Sequence, residues 1–306
     1  MRRRLFIKQT GILAGAAMIA PSLMSAKKKE TKLVILHTND THSNIDPFPK
    51  NHAKFPDMGG VSRRAALIKS IREQEENVLL LDAGDIFQGT PYFNKFKGVL
   101  EMKTMSEMHY DVVTLGNHDF DIGIDGYVKA KEHGTFKVVN SNYDLSKTAM
   151  HSQVEPHVII KKGGLKIGIF GVGIDLDGLV AKENTSGLIY NDPVVSANQQ
   201  VALLQQKGCD YIICLSHLGF EYPTDKISDT ILAQKTEGID LIIGGHTHTF
   251  LDAPVVLKNA KGRDVLINQV GYGGLHLGRI DVQFSTDLDK TTISEHIPLT
   301  SKWDLA

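Results

Sequence analysis

Five apolar, largely β-branched runs each lead into a short polar cluster, and this pairing restricts the fold of the chain more than any other feature. The runs are residues 33–36, 78–81, 112–115, 211–215 and 241–243. The clusters that follow them are Asp40-Thr41-His42, Gly84-Asp85, Gly116-Asn117-His118-Asp119-Phe120, Ser216-His217 and Gly245-His246-Thr247-His248. Continuous apolar runs of this length, separated by helix-length segments, predict buried parallel strands. Open α/β sheets bind their ligands beyond the carboxyl ends of such strands. The five clusters therefore converge on one edge of the predicted fold.

Asp40, His42, Asp85, Asn117, His217, His246 and His248 offer oxygen and nitrogen donors with no thiolate among them. Mixed imidazole and carboxylate ligation suits Zn, Mn, Fe or Co better than Ca or Mg, which favour all-oxygen shells. If Asp85 bridges, one ion receives Asp40, His42, Asp85 and His248, and the other Asp85, Asn117, His217 and His246. Two ions about 3.5–4 Å apart can generate a hydroxide nucleophile and clamp both oxygens of a displacement at phosphorus.

In this order the motifs resemble those of the calcineurin-like metallophosphoesterases. Asp82-Ala83-Gly84-Asp85 with Gln88-Gly89-Thr90, and Asn117-His118-Asp119-Phe120-Asp121, are similar to the branch holding 5′-nucleotidases and 2′,3′-cyclic phosphodiesterases. The resemblance runs from Lys32 to an expected last strand near Phe284. It implies an α/β fold of four layers, an α-β-β-α sandwich with a dinuclear metal site at the strand ends. It also implies that His118 acts on the phosphate as acid or electrostatic partner, with Asp121 holding its imidazole. A carboxylate beside a histidine favours the protonated ring. Asp119 is expected behind the ligands or facing solvent. Asn140 and Asn142 follow the apolar pair Val138-Val139, and Tyr272 lies in a glycine-rich loop; all three are candidate substrate contacts.

The function implied is an exported phosphohydrolase, a 5′-nucleotidase-type phosphomonoesterase using metal-bound hydroxide for in-line attack. Two alternatives stay open. One is a phosphodiesterase or pyrophosphatase acting on cyclic nucleotides or nucleotide sugars. The other is a metal-binding subunit that needs a separate chain for activity. Nucleotidases of the family carry a C-terminal specificity domain, and the chain ends soon after its expected last strand. Residues 32–306 are thus expected to form the catalytic domain alone, with a separate chain supplying the missing domain or with looser specificity.

Composition agrees with a globular enzyme: 306 residues, 42% hydrophobic and 23% charged, with a formal net charge of −1. That balance carries no electrostatic footprint for a nucleic-acid polymer. Residues 1–26 begin with Arg2, Arg3, Arg4 and Lys8, continue through an apolar stretch at 11–20 and end in small residues. This pattern predicts a Tat-type export signal, a basic linker at 27–31 and a periplasmic location. The apolar stretch is too short for a stable membrane span. Cys209 and Cys214 fit neither a metal motif nor a disulfide framework and are expected as small buried hydrophobes. Residues 59–77 predict a helix, Met102, Met105 and Met108 a packing stripe, and Pro193 and Gly208 the ends of a further helix. Residues 47–57 predict a surface loop near the metals.

Overall fold

The computed structural model describes residues 30–304. The predicted export signal at 1–26 lies outside the described residues. Each of the five apolar runs lies on a strand, Leu115 alone falling just past its end, and the strands divide between two mixed sheets. The larger sheet has seven strands in the order Lys290–Pro298, His276–Phe284, Thr31–Thr38, Val78–Asp82, Val112–Thr114, Lys137–Val139 and Val154–Glu155. The smaller has six: Val255–Lys258, Asp264–Asn268, Leu241–Gly244, Tyr211–His217, Leu165–Gly173 and His157–Lys162. Within each sheet the strands that lead into the polar clusters run parallel to one another. Antiparallel strands complete the sheets, with His276–Phe284 against Thr31–Thr38 and His157–Lys162 against Leu165–Gly173.

Side-chain alternation sorts these runs into layers, because successive strand residues face opposite sides of a sheet. Leu33, Ile35, Leu79 and Leu81 meet Ile213, Leu215, Leu241 and Ile243 between the sheets. Val34, Leu36 and Leu80 turn instead toward the helices on the outer side of the larger sheet. Ile212, Cys214 and Ile242 do the same on the smaller sheet. The result is the four-layer α-β-β-α sandwich. Fully burying one such aliphatic side chain contributes about 1.5–3 kcal/mol, against about 0–1 kcal/mol for an exposed ion pair. Packing between the layers therefore dominates the stability of the fold.

The first helix is Val61–Gln74, slightly shorter than the expected span, and it buries Arg63 and Arg64 along with Leu67, Ile68 and Ile71. Arg63 is tolerated inside because Asp57 and Asp304 pair with it. Met102, Met105 and Met108 are buried in the helix-side core. Pro193 opens the helix Pro193–Gln206, whose cap residue Asp192 accepts from the amides of Val194 and Val195. Gly208 follows its end at φ +72, a conformation that glycine adopts without steric cost. Cys214 is buried and Cys209 half-buried, and both are free. A strand at Lys290–Pro298, beyond the expected last one, pairs antiparallel with His276–Phe284. Its pattern is faint because it lies on the sheet edge, where Ile293 is 77% exposed. Among the described residues, no helix is long and apolar enough to cross a membrane.

His37 lies wholly inside this frame on Thr31–Thr38, and its Nε2 takes a hydrogen bond from the Asn268 amide. Burial, with a smaller push from His296, lowers its pKa to about 3. In the unfolded chain the ring gains a proton near its ordinary value of 6.5. Between those values the unfolded state binds the extra proton, so the stabilising contribution of neutral His37 is lost as pH falls through that window. We expect unfolding free energy in urea to fall between about pH 7 and pH 5, and to fall less in His37→Gln. Equal losses in the two proteins would exclude His37 as a source.

Candidate metal centre

The carboxyl ends of the central strands meet at one edge of the sandwich. Loops from the larger sheet bring Asp40, His42, Asp85 and Asn117; the smaller sheet brings His217, His246 and His248. To turn back over the edge, several of these residues adopt left-handed backbone. Asp40, His42, Asp85, His246 and His248 all have φ between 46° and 71°. Aspartate and histidine tolerate this region better than most residues, yet each still bears a steric cost. The loops are held in place by their hydrogen bonds.

Two donor groups result: Asp40, His42 and His248, and Asp85, His217 and His246, with the ligand atoms of each group within 4.8 Å of one another. Asp85 faces both groups. Its Oδ2 lies 3.1 Å from His217 Nε2 and 3.9 Å from His42 Nε2. Asp40 Oδ1 is 3.4 Å from His248 Nε2, and Asn117 Oδ1 is 2.8 Å from His246 Nδ1. All seven predicted donors are thus in one place.

Their chemistry calls for cations. His217 Nδ1 donates to the Ala83 carbonyl at 2.7 Å, which in the neutral ring leaves Nε2 as a bare acceptor facing the Asp85 carboxylate. That Nε2 is buried with no hydrogen-bond partner. His42 Nδ1 lies 3.2 Å from the Phe87 carbonyl, and its Nε2 faces His248 Nε2 at 3.0 Å. Two imidazole nitrogens this close need a proton or a cation between them. Burial disfavours a proton on His217, but Asp85 and Asp40 outweigh burial and push its pKa up to about 10. Burial, aided by the charge on His217, holds His246 down at about 4, so its neutral ring is a ready ligand. The donor set therefore fits a pair of divalent ions.

His118 stands beside these groups, its ring 5.3 Å from that of His42 and its side chain 34% exposed. Its Nδ1 meets Asp121 Oδ2 at 2.8 Å, and this hydrogen bond raises the imidazole pKa against the opposing effect of burial. Tyr272 stacks on His248 with ring centroids 5.0 Å apart, and Phe48 and Phe55 of the 47–57 loop pack against its edges.

The expectation for the asparagines needs correction. Asn142 is fully buried; its amide donates to the Gly173 and Asn191 carbonyls and accepts from the Gly173 amide. Asn140 Oδ1 accepts from the amides of Asn142 and Tyr143. Asn142 ties a strand end to the facing sheet, Asn140 braces the turn that leads to it, and both side chains are buried. Sequence reasoning missed Asn39 and Gln269. Asn39 donates to Asp40 Oδ2 and accepts from the Val270 amide. Gln269 donates to the Gly245 carbonyl at 2.6 Å and accepts from the Thr249 amide, bracing the loop of His246 and His248. The signal for both was position alone, since each adjoins a strand end.

A family model described as calcineurin-like phosphoesterase matches residues 33–250. The chain belongs to that family. This phosphoesterase is 32% identical over 287 residues to the 5′-nucleotidase of Homo sapiens, covering 87% of this chain and 48% of the relative. The crystal structure of a 5′-nucleotidase precursor from Thermus thermophilus superposes with a TM-score of 0.82 at 32% identity, over 89% of this chain and 55% of that one. A calcineurin-like phosphoesterase from Bacillus subtilis gives a TM-score of 0.68 at 28% identity, covering 87% of this chain and 91% of that one. The phosphoesterase thus spans about half the length of the curated relatives it matches. The family implies divalent metals, and the two donor groups are where they would bind.

Close backbone approach makes one glycine a sharp test of the site. A Cβ on Gly116 would fall 2.1 Å from Asp85 Oδ1 and 2.3 Å from its amide nitrogen. Gly116→Ala should therefore cost about 1–3 kcal/mol by overpacking and displace the Asp85 carboxylate. Chemical denaturation together with Mn²⁺ titration checks both effects. An alanine variant with wild-type stability and metal affinity would contradict the packing described.

Proposed function

We propose that this chain is a two-metal phosphohydrolase of the 5′-nucleotidase type, releasing phosphate from nucleoside monophosphates. The observation that carries the reading is the meeting of two donor groups at Asp85, with the His118–Asp121 pair beside them. Support also comes from relatives named as 5′-nucleotidases that align over most of this chain. Asp40, His42, Asp85 and His248 would hold one ion, and Asp85, Asn117, His217 and His246 the other. The mixed nitrogen and oxygen donors favour Zn, Mn, Fe or Co. When bound, such a pair supplies Lewis acidity and activates water for attack at phosphorus.

The protein's own groups orient and charge the site. Asp121 engages His118 Nδ1, which fixes the tautomer and leaves Nε2 as the atom available to the substrate. The raised pKa keeps that imidazole protonated further toward neutral pH, so it can donate to a phosphoryl oxygen or to the departing alkoxide. His217 and Asp40 are wholly shielded from solvent, which strengthens every charge interaction around the reacting group.

Phosphate release from AMP, a 2′,3′-cyclic nucleotide, a nucleotide sugar and an aryl phosphate tests the reading. We expect AMP to be preferred. Asp85→Asn should abolish turnover, and His118→Ala should lower kcat by about 10²–10⁴-fold. Wild-type rates in both variants would sink the proposal. A preference for the cyclic nucleotide would replace monoesterase with diesterase chemistry.

Export is the second part of the proposal and rests on Arg3-Arg4-Leu5-Phe6-Ile7-Lys8 ahead of the apolar stretch at 11–20. The full chain should be recovered from the periplasm of a Tat-competent bacterium, and the double variant Arg3→Lys, Arg4→Lys should stay in the cytoplasm. Identical fractionation of both proteins would remove the Tat assignment.

A further inference from the structure

Asp119 is the residue between His118 and Phe120 in the central motif, yet its side chain is fully buried. One carboxylate there collects four backbone N–H groups from two loops. Oδ2 accepts from Gly116 at 2.8 Å and from Asp85 at 3.1 Å. Oδ1 accepts from Ile86 at 3.0 Å and from Phe87 at 3.3 Å. These amides lie in loops with no ladder partner, and buried amides left unpaired are costly.

The bonds continue outward from that carboxylate. Asp85, fixed by its amide, keeps φ at 57° and accepts from the His118 amide at Oδ1. The carbonyls of Gly84, Asp85 and Ile86 then take the amides of Asp40, His42 and Ser43. Both Asp40 oxygens in turn accept from the His246 amide at 3.0 Å. Donors of both groups are therefore tied to one another by hydrogen bonds from backbone amides, and the chain of bonds begins at Asp119.

We propose that Asp119 is the positioning residue of the metal centre, presetting the left-handed backbone of Asp85 and the spacing of the two donor groups before any ion arrives. The inference rests on the two-metal reading but concerns a residue that reading does not use. It makes the site a preformed cradle and removes the need for the ions to order the loops. Asparagine at this position could accept from at most one pair of the four amides, because its nitrogen is a donor.

The first measurement is hydrogen exchange on the wild-type protein held in chelator. Amides of residues 85–87 and 116 should stay protected without metal; rapid exchange there would overturn the proposal whether or not any variant folds. The second compares Asp119→Asn with Leu67→Ala, a remote core change chosen as a stability control. In Mn²⁺ titrations followed by calorimetry and electron paramagnetic resonance, Asp119→Asn should bind about 10–100-fold more weakly and lose the spin-coupled signal of a close pair. Leu67→Ala should keep both. Unchanged affinity and coupling in Asp119→Asn, or an equal loss in Leu67→Ala, would overturn the positioning role while the two-metal reading stands. Wild-type protein that binds no Mn²⁺ or Zn²⁺ would overturn both together.

Discussion

Burying the carboxylates of Asp40 and Asp85 at the junction of two sheets creates a local demand for positive charge. Desolvating a carboxylate is expensive unless it is paired or coordinated. Imidazoles of His42, His217 and His248 surround these two side chains, but carbonyls occupy the Nδ1 atoms of His42 and His217. Lone pairs therefore point into the same small space from several directions. Cations resolve this conflict where protons do so only in part. Against the effect of burial, Asp85 and Asp40 raise the pKa of His217, whereas burial lowers those of His42 and His246, so the proton settles on one ring and leaves the other two as neutral donors.

Such a concentration of like groups requires a rigid support, which the sandwich provides. Leu33, Ile35, Leu79 and Leu81 lock against Ile213, Leu215, Leu241 and Ile243, so the strand ends of both sheets come to rest at one height. Interiors packed to this density deform little. The left-handed residues on top lie in loops braced by hydrogen bonds to the side chains of Asn39, Asp119 and Gln269. Backbone strain persists only where its surroundings over-determine it, and these loops meet that condition.

Most of this was legible in the sequence because β-branched runs announce buried strands and the residues after them must lie at one edge. The seven donors, the His118–Asp121 pair and the four layers all followed from that logic and from the family resemblance. Asn140 and Asn142 obeyed the same rule of position but differ in role. Their strand abuts the facing sheet, so Asn142 bonds to Gly173 there, and no periodicity encodes that crossing. Asn39 and Gln269 were missed for a related reason. Asn39 acts on Val270, far away in sequence, and Gln269 acts on a loop of another strand. The edge strand Lys290–Pro298 was missed because an exposed strand needs few apolar residues.

The donors are divided between the two sheets in a way that couples the chemistry to the fold. Asp40 and Asp85 leave the larger sheet, whereas His217, His246 and His248 leave the smaller one. Neither sheet alone assembles either donor group completely. A divalent ion bound across the junction would therefore stabilise the packing of one sheet on the other, since binding to the folded state alone shifts the folding equilibrium. Conversely, the dry interface of Ile35, Leu81, Leu215 and Ile243 fixes how far apart the two contributions lie. Substitutions in that interface, remote from the donors, should reach the site through this spacing. The hydrophobic core and the metal centre are two consequences of the same register between the sheets.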